Sequence, residues 1–294
     1  MQKKIWVTGA NGQLGTEIRG LSEKYSQFVF IFSDIDTLDL TDASKVSQFM
    51  EENQFNYVIN CAAYTAVDKA EEDVTLAYQV NRNSIGYIAE TAQQINAKVI
   101  HISTDYVFDG EGSEPYRETD PTNPQSVYGK SKLEGEEILR KSCPESIIIR
   151  TAWLYSSHGN NFVKTMMRLG RERESLNVVA DQKGTPTYAG DLAQAVLDII
   201  TWVEHKENLP VGIYHYSNLG EITWYDFALK IHELAGITGC KVAPVGTDEY
   251  PVKAKRPQYS VLNKNKIQQT FQLQIPDWED SLKKCISILE PTAE

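Results

Sequence analysis

Thr8-Gly9-Ala10-Asn11-Gly12-Gln13-Leu14-Gly15 sets the fold of this chain. It follows a short apolar run and opens an amphipathic one, so it occupies the junction of a first strand with a first helix. Glycine at Gly9, Gly12 and Gly15 allows a tight turn, lets backbone N–H groups approach a pyrophosphate, and lets the helix pack close to the sheet. An isolated glycine motif is weak; at the first strand-to-helix junction it reads as a dinucleotide-binding loop rather than an ordinary turn.

Outward from the loop, β-rich runs alternate with helical patterns, the rhythm of βαβ units and a parallel sheet. Strands are predicted at Lys4–Thr8, Phe28–Ser33, Tyr57–Asn60, Lys98–Ser103 and Ser146–Arg150. Apolar residues at helical spacing predict helices in Gly12–Lys24, Ser44–Asn53, Gln79–Ile95 and Val127–Lys141. After Arg150 the pattern loosens, with a Gly/Pro turn at Asp181–Pro186, a helix near Gly190–Glu204, a strand near Ile213–Tyr216 and a helix near Trp224–Ala235. The expected architecture is α/β: a Rossmann-like doubly wound parallel sheet in residues 1–150, with a smaller C-terminal substrate-binding lobe mainly in 151–294. Some later segments are expected to return to the Rossmann core.

Composition narrows the function by exclusion. At 294 residues, 41% hydrophobic and 23% charged, the chain can bury a sizeable core unaided. A net charge of −11 with no basic cluster argues against nucleic-acid partners. Cys61, Cys143, Cys240 and Cys285 lack metal-ligand spacing, and the run after Met1-Gln2-Lys3-Lys4 is too short for a signal-peptide core or a membrane helix. The expectation is a cytoplasmic protein with free thiols, no membrane partner and a small-molecule substrate.

The second strand ends in Ser33-Asp34-Ile35-Asp36, where an acidic side chain can accept hydrogen bonds from an adenosine ribose. Asp34 is the better candidate; Asp39 and Asp42 lie close by, and helix capping is the competing reading for any of them. NADPH and NADH both stay open as the cofactor. Tyr128-Gly129-Lys130-Ser131-Lys132 begins a helix, placing Tyr128 and Lys132 about one turn apart on one face. A neighbouring ammonium and a nicotinamide cation would lower the phenol pKa, so that Tyr128 can hand a proton to a ketone oxygen. Thr104, in the fourth-strand run His101–Gly110, can hydrogen-bond that oxygen and the tyrosine together.

Glycine loop, Thr104 and Tyr-x-x-x-Lys, in this order, resemble the extended short-chain dehydrogenase/reductase family. Further runs narrow the resemblance: Asn60–Glu71, Ser103–Gly110, Arg150–Tyr155, Asn160-Asn161-Phe162, Asp181-Gln182 with Gly184–Thr187, and Arg256-Pro257. Together they are similar, over nearly the whole chain, to the members that reduce C4 of dTDP-4-dehydro-L-rhamnose to dTDP-L-rhamnose for surface polysaccharide. The resemblance implies Tyr128 as proton donor, Lys132 as the residue that tunes it and holds the ribose, and Thr104 as the group that polarises the carbonyl. It implies a cofactor site of Gly9, Gly12, Gln13, Leu14, Gly15, Asp34, Asp39, Leu40, Ala62, Ala63, Tyr64, Thr65 and Ile102, with Tyr128 and Lys132. Thr104, Asp105, Trp153 and Arg256 would face the substrate. Trp153 also reads as a core tryptophan and Arg256 as an exposed arginine; as a diphosphate clamp, Arg256 would use its guanidinium fork. Lys164 and Arg168 read as a solvated helix face.

Some members are magnesium-bridged dimers. Here Gly190, followed by Asp191, stands at the matching place, so no obligatory metal is expected; Glu17, Glu290 and Glu294 are the carboxylates left to take one. A monomer or homodimer is expected. Nucleotide-sugar 4,6-dehydratases share the fold and the Tyr/Lys pair but carry glutamate where this chain has Tyr106, so elimination lacks its base. Reduction of another nucleotide-linked 4-ketosugar, and a non-catalytic nucleotide-binding regulatory subunit, are the remaining alternatives.

Overall fold

The computed structural model describes residues 2–250 and 252–290. Strands β1 (Lys3–Thr8), β2 (Phe28–Phe32), β3 (Tyr57–Asn60), β4 (Lys98–Thr104) and β5 (Ser146–Thr151) join Gly212–His215 in one six-stranded sheet. Its order is Gly212–His215, β5, β4, β3, β1, β2, and every pairing is parallel. The chain starts in the interior and winds outward both ways, which makes this a doubly wound Rossmann-type sheet.

Alternation along each strand explains the layers. Ile5, Val7, Tyr57, Ile59, Ile100, Ile102, Ile147 and Ile149 pack on one face with Leu14 and Ile18 of helix α1 (Gln13–Leu21) and with the apolar side of helix Ala189–Lys206. Trp6, Val58, Val99 and Ile148 point the other way, onto Val46 and Met50 of helix α2 (Ala43–Asn53), helix Ser84–Ile95 and Leu139 of helix Val127–Ser142. Both faces of the interior strands are dry, so these strands read as continuous apolar runs. Trp6 is fully buried and donates its indole N–H to Ser33 Oγ at 2.8 Å, so it adds apolar area without an orphaned donor.

Residues beyond 150 do two jobs. Helix Ala189–Lys206 and strand Gly212–His215 complete the sheet layer. Helices Phe162–Glu172, Trp224–Leu234 and Trp278–Leu289, with the parallel pair Ser175–Val179 and Lys241–Val245, enclose a second core around Met166, Phe227, Ile231 and Leu282. Between them lies a small cluster of Phe108, Tyr116, Tyr259 and Leu262.

Two predicted helices differ from expectation. Gly12–Lys24 resolves into α1 and a 3₁₀ turn at Ser22–Tyr25, and Gln79–Ile95 begins with a π-helical turn at Gln79–Asn83. In that wide turn the Asn81 amide accepts from Tyr64 N–H at 2.8 Å and donates to the Tyr64 carbonyl at 3.1 Å and Ser131 Oγ at 3.0 Å. Tertiary bonds of this kind leave no trace in local periodicity. Among the described residues, no helix is long and apolar enough to cross a membrane.

Candidate active site

The parallel register brings the chemistry to one edge. Thr8 and Asn60 stand side by side at the carboxyl ends of β1 and β3, next to His101 in the middle of β4, and Thr104 at the end of β4 stands beside Thr151 of β5. Immediately beyond, Gly9 adopts φ +60°, a left-handed conformation, and a Cβ there would lie 2.7 Å from Ala62 N. A Cβ on Gly15 would lie 2.4 Å from Gly9 O, so the start of α1 seats directly on the loop. Gly12 is the N-cap of α1 and offers no capping side chain. The first amides of the helix are left for an anion, and this glycine cradle fits a dinucleotide pyrophosphate.

Beside the loop runs a cleft of about 530 Å3 lined by Gly9, Gly12, Asp34, Asp39, Leu40, Ala62, Ala63 and Tyr64. Asp34 Oδ2 accepts the Asn11 N–H at 2.8 Å and its Oδ1 accepts the Ile35 N–H at 2.8 Å; each oxygen keeps a lone pair for a ligand hydroxyl. Asp39 instead holds the N–H and hydroxyl of Thr41. The cleft continues through Gly9, Gly12, Cys61 and Ala63 into a second chamber of about 410 Å3, where Gln13, Leu14, Gly15, Thr65, Ile102, Thr104, Asp105, Tyr128, Lys132 and Trp153 all reach the wall.

Helix Val127–Ser142 supplies the Tyr/Lys pair. Ser126 caps it by accepting the Gly129 N–H, and the Glu136 carboxylate, buried with Arg150 at 2.7 Å and held by Ser103 Oγ at 2.5 Å, anchors it to β4 and β5. Lys132 is 1% exposed; its ammonium donates to the Ile102 carbonyl at 2.6 Å and lies 3.4 Å from His101 Nε2. Burial pulls the amine down to about 8, with the nearby Glu136 and Cys61 acting in the opposite direction.

Tyr128 and Thr104 line the same chamber, and the Tyr128 ring meets that of Tyr106 edge-on at 5.4 Å. The expected lowering of its pKa does not hold for the protein alone. Desolvation raises the phenol well above its ordinary value; the Thr104 hydroxyl lowers it, and the Asp105 carboxyl and Tyr106 raise it further. Helical spacing supplies proximity, but burial comes from tertiary packing and outweighs it.

Trp153 takes φ +47°, an outlier for a bulky side chain, and stacks on Trp224 at 3.6 Å between centroids. Trp153 lines the chamber with Tyr128, whereas Trp224 lines an adjoining pocket with Asp68, Tyr106, Phe162 and Arg256. Arg256 therefore lies one pocket beyond the Tyr/Lys pair, donating to Asp68 Oδ2 at 2.6 Å and Tyr106 Oη at 2.9 Å. Sequence reasoning missed Asp68 and Trp224; an aromatic opening a helix after the Thr223 cap was the available signal for the latter. Lys164 donates to the Ser157 carbonyl at 3.4 Å, and Arg168 pairs with Glu172 on the surface.

Glu17 accepts from Ser156 Oγ at 2.6 Å, Glu290 pairs with Arg171, and Glu294 lies outside the described residues. Among the described residues, no group of three or more His, Cys, Asp or Glu side chains gathers as a metal site.

Known proteins share this arrangement. The family model described as RmlD substrate binding domain matches residues 3–290. A dTDP-4-dehydrorhamnose reductase of Aggregatibacter actinomycetemcomitans is 43% identical over 285 residues, 95% of this chain and 97% of the relative. A crystal structure of a dTDP-4-dehydrorhamnose reductase from Clostridium acetobutylicum superposes with TM-score 0.91 at 47% identity, covering 98% of this chain and 99% of the other. One from Bacillus anthracis, in complex with NADP, gives TM-score 0.91 at 40% identity, covering 97% and 99%.

Proposed function

This chain belongs to the RmlD substrate binding domain family, and we propose that it is a nicotinamide-dependent reductase that converts dTDP-4-dehydro-L-rhamnose to dTDP-L-rhamnose. One observation carries the reading: Thr104, Tyr128 and Lys132 converge in a single chamber that opens directly from the glycine cradle. In this reading residues 1–150 form the dinucleotide-binding domain and 151–294 mainly the substrate lobe. Gly9, Gly12, Gln13, Leu14, Gly15, Asp34, Asp39, Leu40, Ala62, Ala63, Tyr64, Thr65 and Ile102 would hold NADPH or NADH. When bound, the dinucleotide supplies a hydride for C4.

The remaining chemistry belongs to the protein. Thr104 Oγ1 donates a hydrogen bond to the C4 carbonyl oxygen and polarises it. Tyr128 Oη gives its proton to that oxygen as negative charge develops there, and the buried Lys132 ammonium stabilises the phenolate left behind. A high phenol pKa before ligand binding keeps the proton on Tyr128 until the ketone arrives. Trp153 walls the sugar, and Arg256 takes the diphosphate by exchanging its Asp68 contact for phosphate oxygens. Tyr106, where the dehydratases carry a glutamate, is a phenol held by Arg256 and supports reduction over elimination.

The substrate is a small nucleotide sugar, and the enzyme works in the cytoplasm as a monomer or homodimer without an obligatory metal. Purified protein given dTDP-4-keto-L-rhamnose should oxidise NADPH or NADH and yield dTDP-L-rhamnose, identified by mass and NMR. Dinucleotide binding with no oxidation of either cofactor would leave a regulatory subunit as the correct reading.

A further inference from the structure

The Thr104 hydroxyl has one proton and two lone pairs to distribute. The Tyr106 N–H takes one lone pair at 3.2 Å, and Asp105 Oδ1 stands 3.0 Å from the same oxygen. An ionised Asp105 is acceptor-only, so it would draw the single Thr104 proton to itself. Thr104 would then have nothing to donate to a ketone. The hydrogen bond must run the other way, from a carboxyl O–H to Thr104 Oγ1, for Thr104 to serve the substrate.

The surroundings favour that direction. Asp105 is 3% exposed, and its Oδ2 is buried with no hydrogen-bond partner among the described residues. The groups that face it are the Ser260 and Thr104 hydroxyls and the backbone N–H groups of Asp105 and Tyr106, neutral donors whose support for the anion is outweighed by burial, and the phenols of Tyr106 and Tyr128. Arg256, the cation beside Tyr106, donates to the Tyr106 phenol and to Asp68. A carboxylate buried without a cation or a full set of donors is costly, and protonation removes the cost.

We propose that Asp105 works as a neutral acid whose O–H, donated to Thr104 Oγ1, turns the Thr104 hydroxyl toward the ketone oxygen. Asp105 is thus a positioning residue acting through Thr104, an assignment that rests on the ketone-reductase reading above. Burial pushes its carboxyl up to about 7. The neutral acid is present below that pH and lost above it, so kcat falls as pH rises through about 7. Lys132, at about 8, adds a separate fall.

Two measurements test this. In Asp105→Asn the amide N–H donates at every pH, so the kcat fall near 7 should vanish while that near 8 stays, with kcat at pH 6 within about tenfold of the unmodified enzyme. A purely structural role would lower kcat or Tm and leave the inflection in place, and an inflection near 7 in Asp105→Asn overturns the proposal. The second measurement needs no substrate: in full-length protein carrying 13C at aspartate carboxyls, one resonance should titrate near 7. If all aspartates titrate below about 5, Asp105 is an ordinary carboxylate and the proposal is overturned, even should Asp105→Asn fail to fold. A protein that ignores the keto-sugar but shows the carboxyl titration would refute the reductase reading alone.

Discussion

Tyr128 and Lys132 are legible in the sequence as residues four apart on a helix, and the structure puts both in one chamber with Thr104. Removal of the proton donor by Tyr128→Phe should cut kcat about 10²-fold or more while dinucleotide affinity, read by fluorescence titration, stays near that of the parent. Full activity in that variant would remove Tyr128 from the chemistry. Lys132 gives a second prediction: its ammonium exists below about 8, so the basic limb of kcat should fall there as pH rises. A limb near 10 would mean a solvated amine, and Lys132→Met should be impaired across the range. What spacing could not convey was the direction of the tyrosine shift, because the closing surfaces come from Tyr106 and Thr104, more than 20 residues earlier in the chain.

Elements were legible to the extent that burial is periodic. The interior strands of the central sheet are buried on both faces and bounded by turn residues, and the predicted strand positions match the structure closely. The π-turn at Gln79–Asn83 was not legible, because the bonds it makes, from Asn81 to Tyr64 and to Ser131 of the facing helix, are tertiary. Gly135 packs so tightly there that a Cβ would lie 2.2 Å from Asn81 O and 3.1 Å from the Ile85 side chain. Backbone cannot yield as a flexible side chain can. Gly135→Ala should force apart the Gln79–Asn83 turn and the helix carrying Tyr128 and Lys132, destabilising the protein by about 1–3 kcal/mol. A calorimetric Tm lower by several degrees, with a drop in kcat, is the expected result; an unchanged Tm would show that the two helices tolerate a wider separation.

At the scale of the whole molecule, the second half was only partly legible because its segments divide between two cores. Ala189–Lys206 covers one face of the sheet, Gly212–His215 extends its edge, and the helices flanking them in sequence build the other lobe. Such assignments depend on long-range partners that no local pattern records. This packing also buries titratable groups with opposite effects on stability. Burial drives His101 well below its usual range and His215 down to about 3, so the folded state excludes protons that the unfolded histidines take up below about 6.5. His215 therefore costs about 1.4 kcal/mol of stability per pH unit as pH falls below that value, and His101 acts in the same direction. Asp105 works the other way: raised to about 7, it holds a proton in the folded state that the unfolded chain releases above about 4. From pH 6 to pH 4.5 Asp105 offsets the cost of His215, one proton against one, and His101 adds to the cost. Asp105→Asn removes the gain and should raise the slope by about 1.4 kcal/mol per unit, measured by urea unfolding at pH 6 and 5 for both proteins. Equal slopes would place an ionised carboxylate at residue 105 in the folded state, returning the Thr104 proton to Asp105 and leaving the ketone to Tyr128 alone.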